Sequence, residues 1–252
     1  KISYKMYKYS TYMVTTIWVE NILNQYHTGI YALGEVARPS KILEKAISTY
    51  NMQNDIIVGI NGSGFIVNGT FGQSFYNLNH AYNNSAQTPY VLERGKLIRD
   101  LSAYVPRNQT VMGFDKNGIM KFYTFNKANN NASINKPVVD AMKNDRIKDT
   151  IGFGPILLEN GKVMTSDTAN NLRQGFCQVD NNNYIIVTNT TTTRSSGFNF
   201  KKLATYFQGL GCKNAYNFDG GGSISLLVHE NGKTTKIFGD ARNDADIAYL
   251  NG

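Results

Sequence analysis

The chain has 252 residues, 41% hydrophobic and only 17% charged, with a formal net charge of +8. That is apolar material for a substantial core, which excludes a disordered chain, and no apolar run approaches the roughly 20 residues of a membrane-spanning helix. The positive surplus favours anionic partners such as nucleic acid, an anionic surface or a phosphate-bearing glycan, or else serves solubility alone.

Residues 12–21, YMVTTIWVEN, are rich in β-branched and aromatic side chains and read as a strand. PSKILEKAISTYNM carries Ile42, Leu43, Ala46, Ile47 and Tyr50 at helical spacing, with Ser40 placed to cap its start. DIIVGI is a short apolar run of buried-strand type, and it ends in the loop signal NGSGF. PYVLERGKLIRD has the form strand, Gly turn, strand; QTVMGFDKNGIMKFYTF repeats it around a two-residue Asn117-Gly118 turn. NKPVVDAMKNDRI reads as a short helix with Pro137 in its first turn, GPILLENGKVM as a hairpin turning at Asn160-Gly161, and NNNYIIVTNT as a strand. NFKKLATYFQGLG gives the strongest helix. Asn199 is its cap, Phe200, Leu203, Ala204, Phe207 and Leu210 share one face, and Gly211 ends it. NAYNF follows as a strand, and after the glycines ISLLVHE and KTTKIF form a last hairpin around Asn231-Gly232. No linker or repeat divides the chain. The expectation is one α+β domain over residues 1–252, of mixed and largely antiparallel sheets with a few packing helices.

The two cysteines, Cys177 and Cys212, form no CxxC pattern, so a zinc site built on cysteine is not expected. One disulfide or two buried thiols remain open, and nothing nearby activates either as a nucleophile. The chain opens at Lys1 with no signal peptide, as expected of a processed fragment.

Asn217 to Ser223 reads NFDGGGS. A dinucleotide fingerprint runs from a strand into a helix, but here ISLLVHE alternates as a strand, with Ile224, Leu226 and Val228 on one side. Gly232-Lys233-Thr234 resembles the end of a phosphate-binding loop, yet the required first glycine is Leu227. What remains is a carboxylate at a strand end beside a bare backbone, suited to close ligand approach or to an anion-binding nest of N–H groups. A tight corner with Asp219 bonded to its own turn fits equally well.

GLGCKNAYNFDGGGSISLLV, residues 209–228, resembles the signature of the phosphodiester glycosidase family. VGINGSGF, PYVLERGKLI, IGFGPILLENGKV, LRQGFCQVDNNNYIIVT and SSGFNFKKLATYF resemble further family pieces in the same order. The resemblance spans about residues 12–230, leaving both chain ends unplaced. Phe218, Cys177 and Asn189 depart from it, standing where Leu, Gly and Asp are usual. It implies a hydrolase of glycosyl-1-phosphodiesters, which breaks the sugar–phosphate bond, with a sugar-phosphate or phosphoglycan substrate such as a teichoic-acid-like polymer.

Such a site needs cationic and N–H donors for the phosphate and a carboxylate to activate water or stabilise an oxocarbenium-like centre. Asp219 is the expected catalytic residue. Arg173 and Arg194 are the phosphate candidates, with Asn61, Gly62, Gly220, Gly221, Gly222 and Ser223 as further binding groups. Each has a plainer role open to it, the arginines as surface charges and Asn61 as a turn residue. A second carboxylate is not identifiable among Asp115, Glu159, Asp167 and Asp180, and the lone His80 and His229 suggest no role. No cofactor is expected, although a divalent cation such as calcium at Asp219 stays open. The alternative is a non-catalytic phosphoglycan-binding module of a phage tail or cell-surface protein. Nucleic-acid binding has only the charge behind it. Asn-x-Ser/Thr sequons occur at Asn61, Asn68, Asn83, Asn108, Asn131 and Asn189, as an Asn-rich chain produces by chance, and an extracellular bacterial or phage setting is expected.

Overall fold

The computed structural model describes residues 1–32, 35–63, 65–66, 85–86, 88–105 and 107–252; His80 and the sequons at Asn68 and Asn83 lie outside them. One sheet of seven strands runs in the spatial order β1 (Ile2–Lys8), β2 (Tyr12–Val19), β14 (Asn183–Asn189), β13 (Gln174–Gln178), β15 (Asn214–Phe218), β11 (Ile156–Glu159), β12 (Lys162–Val163). A second, of five strands, runs β17 (Lys233–Gly239), β16 (Ser225–Glu230), β4 (Ile57–Asn61), β18 (Asp246–Asn251), β3 (Tyr26–Ile30). Two-stranded pairs join β5 (Phe65–Ile66) to β6 (Ser85–Ala86), β7 (Tyr90–Glu93) to β8 (Lys96–Asp100), and β9 (Gln109–Phe114) to β10 (Met120–Phe125). Every described strand pair is antiparallel.

The inner faces of the two large sheets close on one core, where Ile17, Phe176, Tyr216 and Phe218 meet Val58, Ile60, Leu226 and Ala248. The helices are α1 (Ile22–Gln25), α2 (Pro39–Thr49), α3 (Lys136–Asn144) and α4 (Phe200–Gly209). The outer face of the seven-stranded sheet is covered by α4, whose Leu203, Ala204 and Phe207 bury against Val14, Ile185, Val187 and Ala215. On the five-stranded sheet α2 does the same, with Ile42, Leu43, Ala46 and Ile47 against Ile57, Leu227, Ile247 and Tyr249. Burying each large apolar side chain this way contributes about 1.5–3 kcal/mol. The order from outside to outside is therefore helix, sheet, sheet, helix, and α3 seals a side core with the hairpins of β7 to β10.

Local chemistry accounts for most of these elements. Asn199 Oδ1 accepts the Lys202 N–H at 2.7 Å and starts α4 as expected, and Asn160-Gly161 and Asn231-Gly232 turn with positive φ at both residues. Two expectations are corrected. Ser40 is not the cap of α2: Arg38 is, Pro39 takes the first helical position, and Ser40 gives both its N–H and its Oγ to Asp240, at 2.8 and 2.7 Å. The turn at Asn117-Gly118 is longer than two residues. Asp115 pairs with Ile119 through its N–H, and its carboxylate collects the N–H groups of Asn117 and Ile119, at 2.8 and 3.0 Å.

Candidate active site

Strands from both sheets end together around Asp219. Asn61, the last residue of β4, is fully buried. Its Nδ2 donates to the Asp219 carbonyl at 2.8 Å and its Oδ1 accepts the Ser225 N–H at 2.9 Å, so one amide fixes both ends of the glycine turn. Gly62 continues the clamp: its carbonyl accepts the Asp219 N–H and its N–H donates to the Asp246 carbonyl, both at 3.1 Å. A Cβ on Gly62 would stand 2.2 Å from Asp246 Oδ1, so only glycine lets these two strands approach. Ser63 then donates its N–H to Asp246 Oδ1 at 2.7 Å, with its hydroxyl 2.9 Å from both carboxylate oxygens.

The glycines form one tight turn, Gly221–Ser223, between β15 and β16. Gly220 lies against the Leu172 carbonyl, 2.2 Å from where a Cβ would be. Its N–H donates to the Asp219 carboxylate at 2.8 Å, and the Gly221 N–H donates to Leu172 O at 3.1 Å. Two of the three amides expected for an anion nest are thus engaged within the protein. The Arg242 guanidinium lies over Gly222, 2.6 Å from where its Cβ would be.

Three carboxyl groups share this region. Asp219 is half-buried, whereas Asp244 and Asp246 have relative exposures of 1% and 0%. Burial pushes the Asp219 carboxyl up, opposed by hydrogen bonds from Ser223 and the Gly220 N–H and by the charge of Arg242. Burial lifts Asp246 to about 7, against the bonds from Ser63 and the charge of Arg99, with Asp219 pushing it further up. Asp244 is raised well above the carboxylate range by burial and by the charges of Asp246 and Asp219. Among the described residues its Oδ2 has no hydrogen-bond partner. Burial is the leading cause for all three, and the charge of Asp219 adds to it at Asp244 and Asp246.

The structure therefore brings Asp219, Asn61, Gly62, Gly220, Gly221, Gly222 and Ser223 together. Arg173 sits at the same strand end, but its guanidinium stacks 3.8 Å over Phe200 and its Nε reaches the Phe198 carbonyl at 3.4 Å. Arg194 is exposed in a short turn, Arg194–Ser196. The cations whose charges act on the acids are Arg242 and Arg99. Of the acids considered as partners, Asp115 and Asp180 bind turn amides. Asp167 is an exposed ion-pair partner of Lys201, and Glu159 lies in β11. The carboxyl groups on which the charge of Asp219 acts are those of Asp244 and Asp246. His229 bonds Thr234 Oγ1 and the Gln53 carbonyl. No three His, Cys, Asp or Glu side chains among the described residues group as a metal site.

The departures from the expected pattern have structural uses. Asn189 accepts the Arg173 N–H at 2.8 Å and donates to the Thr11 carbonyl at 3.3 Å, a donor–acceptor pair that an ionised Asp cannot supply. Cys177 is disulfide-bonded to Cys212 beneath α4, which settles the open pairing. Asn61 and Asn189 are fully buried, which closes two sequons to modification.

The family model described as phosphodiester glycosidase matches residues 54–250. The match runs past residue 230 and takes in Arg242, Asp244 and Asp246, so the last twenty residues belong to the family pattern after all. No curated protein matches the sequence. Among solved structures, the catalytic domain of zebrafish N-acetylglucosamine-1-phosphodiester alpha-N-acetylglucosaminidase, auto-inhibited by its pro-peptide, superposes with a TM-score of 0.61 at 13% identity, covering 99% of this chain and 82% of that one. A Synechocystis protein gives 0.55 at 14% identity, covering 99% and 62%. A Burkholderia pseudomallei protein described as exported gives 0.55 at 12% identity, covering 95% and 74%. These likenesses show the shared fold.

Proposed function

We propose that this chain, which belongs to the phosphodiester glycosidase family, hydrolyses the bond between a sugar's anomeric carbon and phosphate in a glycosyl-1-phosphodiester. The observation behind this reading is one accessible carboxylate, Asp219, beside Arg242 and the glycine turn and flanked by two buried carboxyl groups, Asp244 and Asp246, that burial pushes up. Water adds to the anomeric carbon as the bond to the phosphate oxygen breaks. A phosphomonoester leaves with the bonding electrons, and the water proton passes to Asp219. Phosphate is a good leaving group, so a strong acid on that side is not required. Arg242 is placed to offset the departing charge, and Asp244 and Asp246 act through Asp219 as positioning residues.

A phosphoglycan substrate of teichoic-acid type suits the +8 charge. An extracellular or cell-surface setting suits the disulfide, because such bonds persist in oxidising compartments; the Burkholderia neighbour described as exported is in keeping with it. No helix among the described residues is long and apolar enough to cross a membrane.

The test is incubation with the methyl phosphodiester of N-acetylglucosamine-1-phosphate. Free N-acetylglucosamine and methyl phosphate should appear, and Asp219→Asn should slow release by about 100-fold or more. Release of sugar-1-phosphate instead would mean cleavage on the other side of phosphorus and sink the proposal. Binding without turnover in the wild type would favour the glycan-binding module, a reading for which Asn189 in place of Asp is the motivating observation.

A further inference from the structure

We infer that the end of the seven-stranded sheet remote from Asp219 carries a second glycan-binding site, in which a pyranose ring stacks on Trp18. Trp18 is the only tryptophan in the chain and its relative exposure is 39%, unusual for so large an apolar ring. It is on the α4 side of the sheet, four residues along β2 from Val14, which α4 covers. Its direct cross-strand neighbours are Ser3 and Asn183, too small to shield the ring. The ring borders two clefts, of about 810 and 400 Å³.

The rim is polar and built. Asp180 holds the N–H groups of Asn182 and Asn183 at 2.8 and 2.9 Å. Asn182 Nδ2 donates to the Val19 carbonyl at 2.9 Å, and Asn214 Oδ1 takes the Asn160 N–H at 3.0 Å. These bonds fix the loop backbones. The exposed side chains of Asn160 and Asn181 line the cleft, and no described hydrogen bond engages their amides. Lys213 lines the first cleft and Lys5 the second.

The chemistry selects a sugar. A pyranose has a face of C–H groups and a rim of hydroxyls. An indole takes the face by dispersion and burial, while an amide offers donor and acceptor together to the rim. The two lysines add a preference for phosphate links. The site is separate from the acids, since Asn214 and Asp219 are five positions apart along and just beyond β15, about 16 Å of extended chain. A polymer held at Trp18 is kept near Asp219 without occupying it.

The choice of polymer rests on the phosphodiester glycosidase reading; the site itself does not. Because Trp18 is the only tryptophan, its fluorescence reports occupancy directly. Titration with poly(glycerol phosphate) bearing N-acetylglucosamine should shift or quench the emission, more weakly with a neutral N-acetylglucosamine oligomer, and the difference should shrink in salt. By calorimetry Trp18→Ala should weaken polymer binding by about tenfold or more, and Lys213→Ala less. Both variants should hydrolyse the small methyl diester at the wild-type rate. Unmoved emission with either glycan, or unchanged affinity in Trp18→Ala, overturns the site. So does an emission change that follows protein concentration without glycan, which would make Trp18 a contact between copies. Quenching without hydrolysis leaves the site standing and removes the enzymatic reading; hydrolysis without quenching does the reverse.

Discussion

A single buried carboxyl carries a pH signature. Asp246 has an ordinary value of 3.8 and is pushed up to about 7 in the fold, chiefly by burial. The folded chain therefore keeps a proton that the unfolded chain has already given up. This group's contribution to stability is full below pH about 4, and is lost as pH rises towards about 7. Asp246→Asn keeps the acceptor facing Ser63 and cannot ionise. Its melting temperature relative to the wild type should therefore rise between pH 4 and pH 8, a gap measured by calorimetry at each pH. A gap that stays constant would mean Asp246 is ionised in the native state throughout. The sequence offers no signal for this. Asp246 and Asp244 stand in the polar stretch GDARNDAD, which no sequence pattern places, and both are raised chiefly by burial that only the fold supplies.

The glycine turn separates two reasons for glycine. Gly220 has an ordinary negative φ, but a Cβ there would meet the Leu172 carbonyl at 2.2 Å; Gly221 has a φ of +58° in open space. Gly221→Ala should cost about 1 kcal/mol, the left-handed penalty alone. Gly220→Ala must move backbone, and should cost about 1–3 kcal/mol and misplace Asp219. Urea midpoints measure the first effect and diester hydrolysis the second; equal costs with equal activity would refute the distinction. Hairpins and amphipathic helices were legible because Asn-Gly turns and period-3.6 stripes are local signals. β18 was not. Ala248 and Leu250 enter the inter-sheet core while Ile247 and Tyr249 pack under α2, so both faces are buried and no alternation shows. Its pairing with β4, Ile247 opposite Asn61, carries two further carboxyl groups, Asp244 and Asp246, towards Asp219 from a place the motif does not touch. Strand pairing, with Gln174 opposite Phe218, puts Arg173 at the same end of the sheet as Asp219, while packing lays its guanidinium over Phe200.

At the scale of the whole molecule, the site depends on two sheets holding their ends in register, with one helix on each outer face. The Cys177–Cys212 bond fastens one of those helices, for it joins β13 to the chain just beyond α4 and closes a loop of 35 residues. On the chain-entropy estimate a loop of that size contributes about 4 kcal/mol through restriction of the unfolded state. Reduction should therefore lower stability by up to about that amount, read from urea unfolding with and without dithiothreitol. It should not touch the chemistry directly, because the bond lies beneath α4 and Asp219 lies beyond the strand end. Below the transition, reduced and oxidised protein should hydrolyse the methyl diester at the same rate; above the reduced protein's midpoint, only the oxidised form should work. Activity lost on reduction while the fold persists would place the disulfide in the site's own geometry, and would require α4 to transmit it through Phe200 and the Arg173 guanidinium stacked upon it.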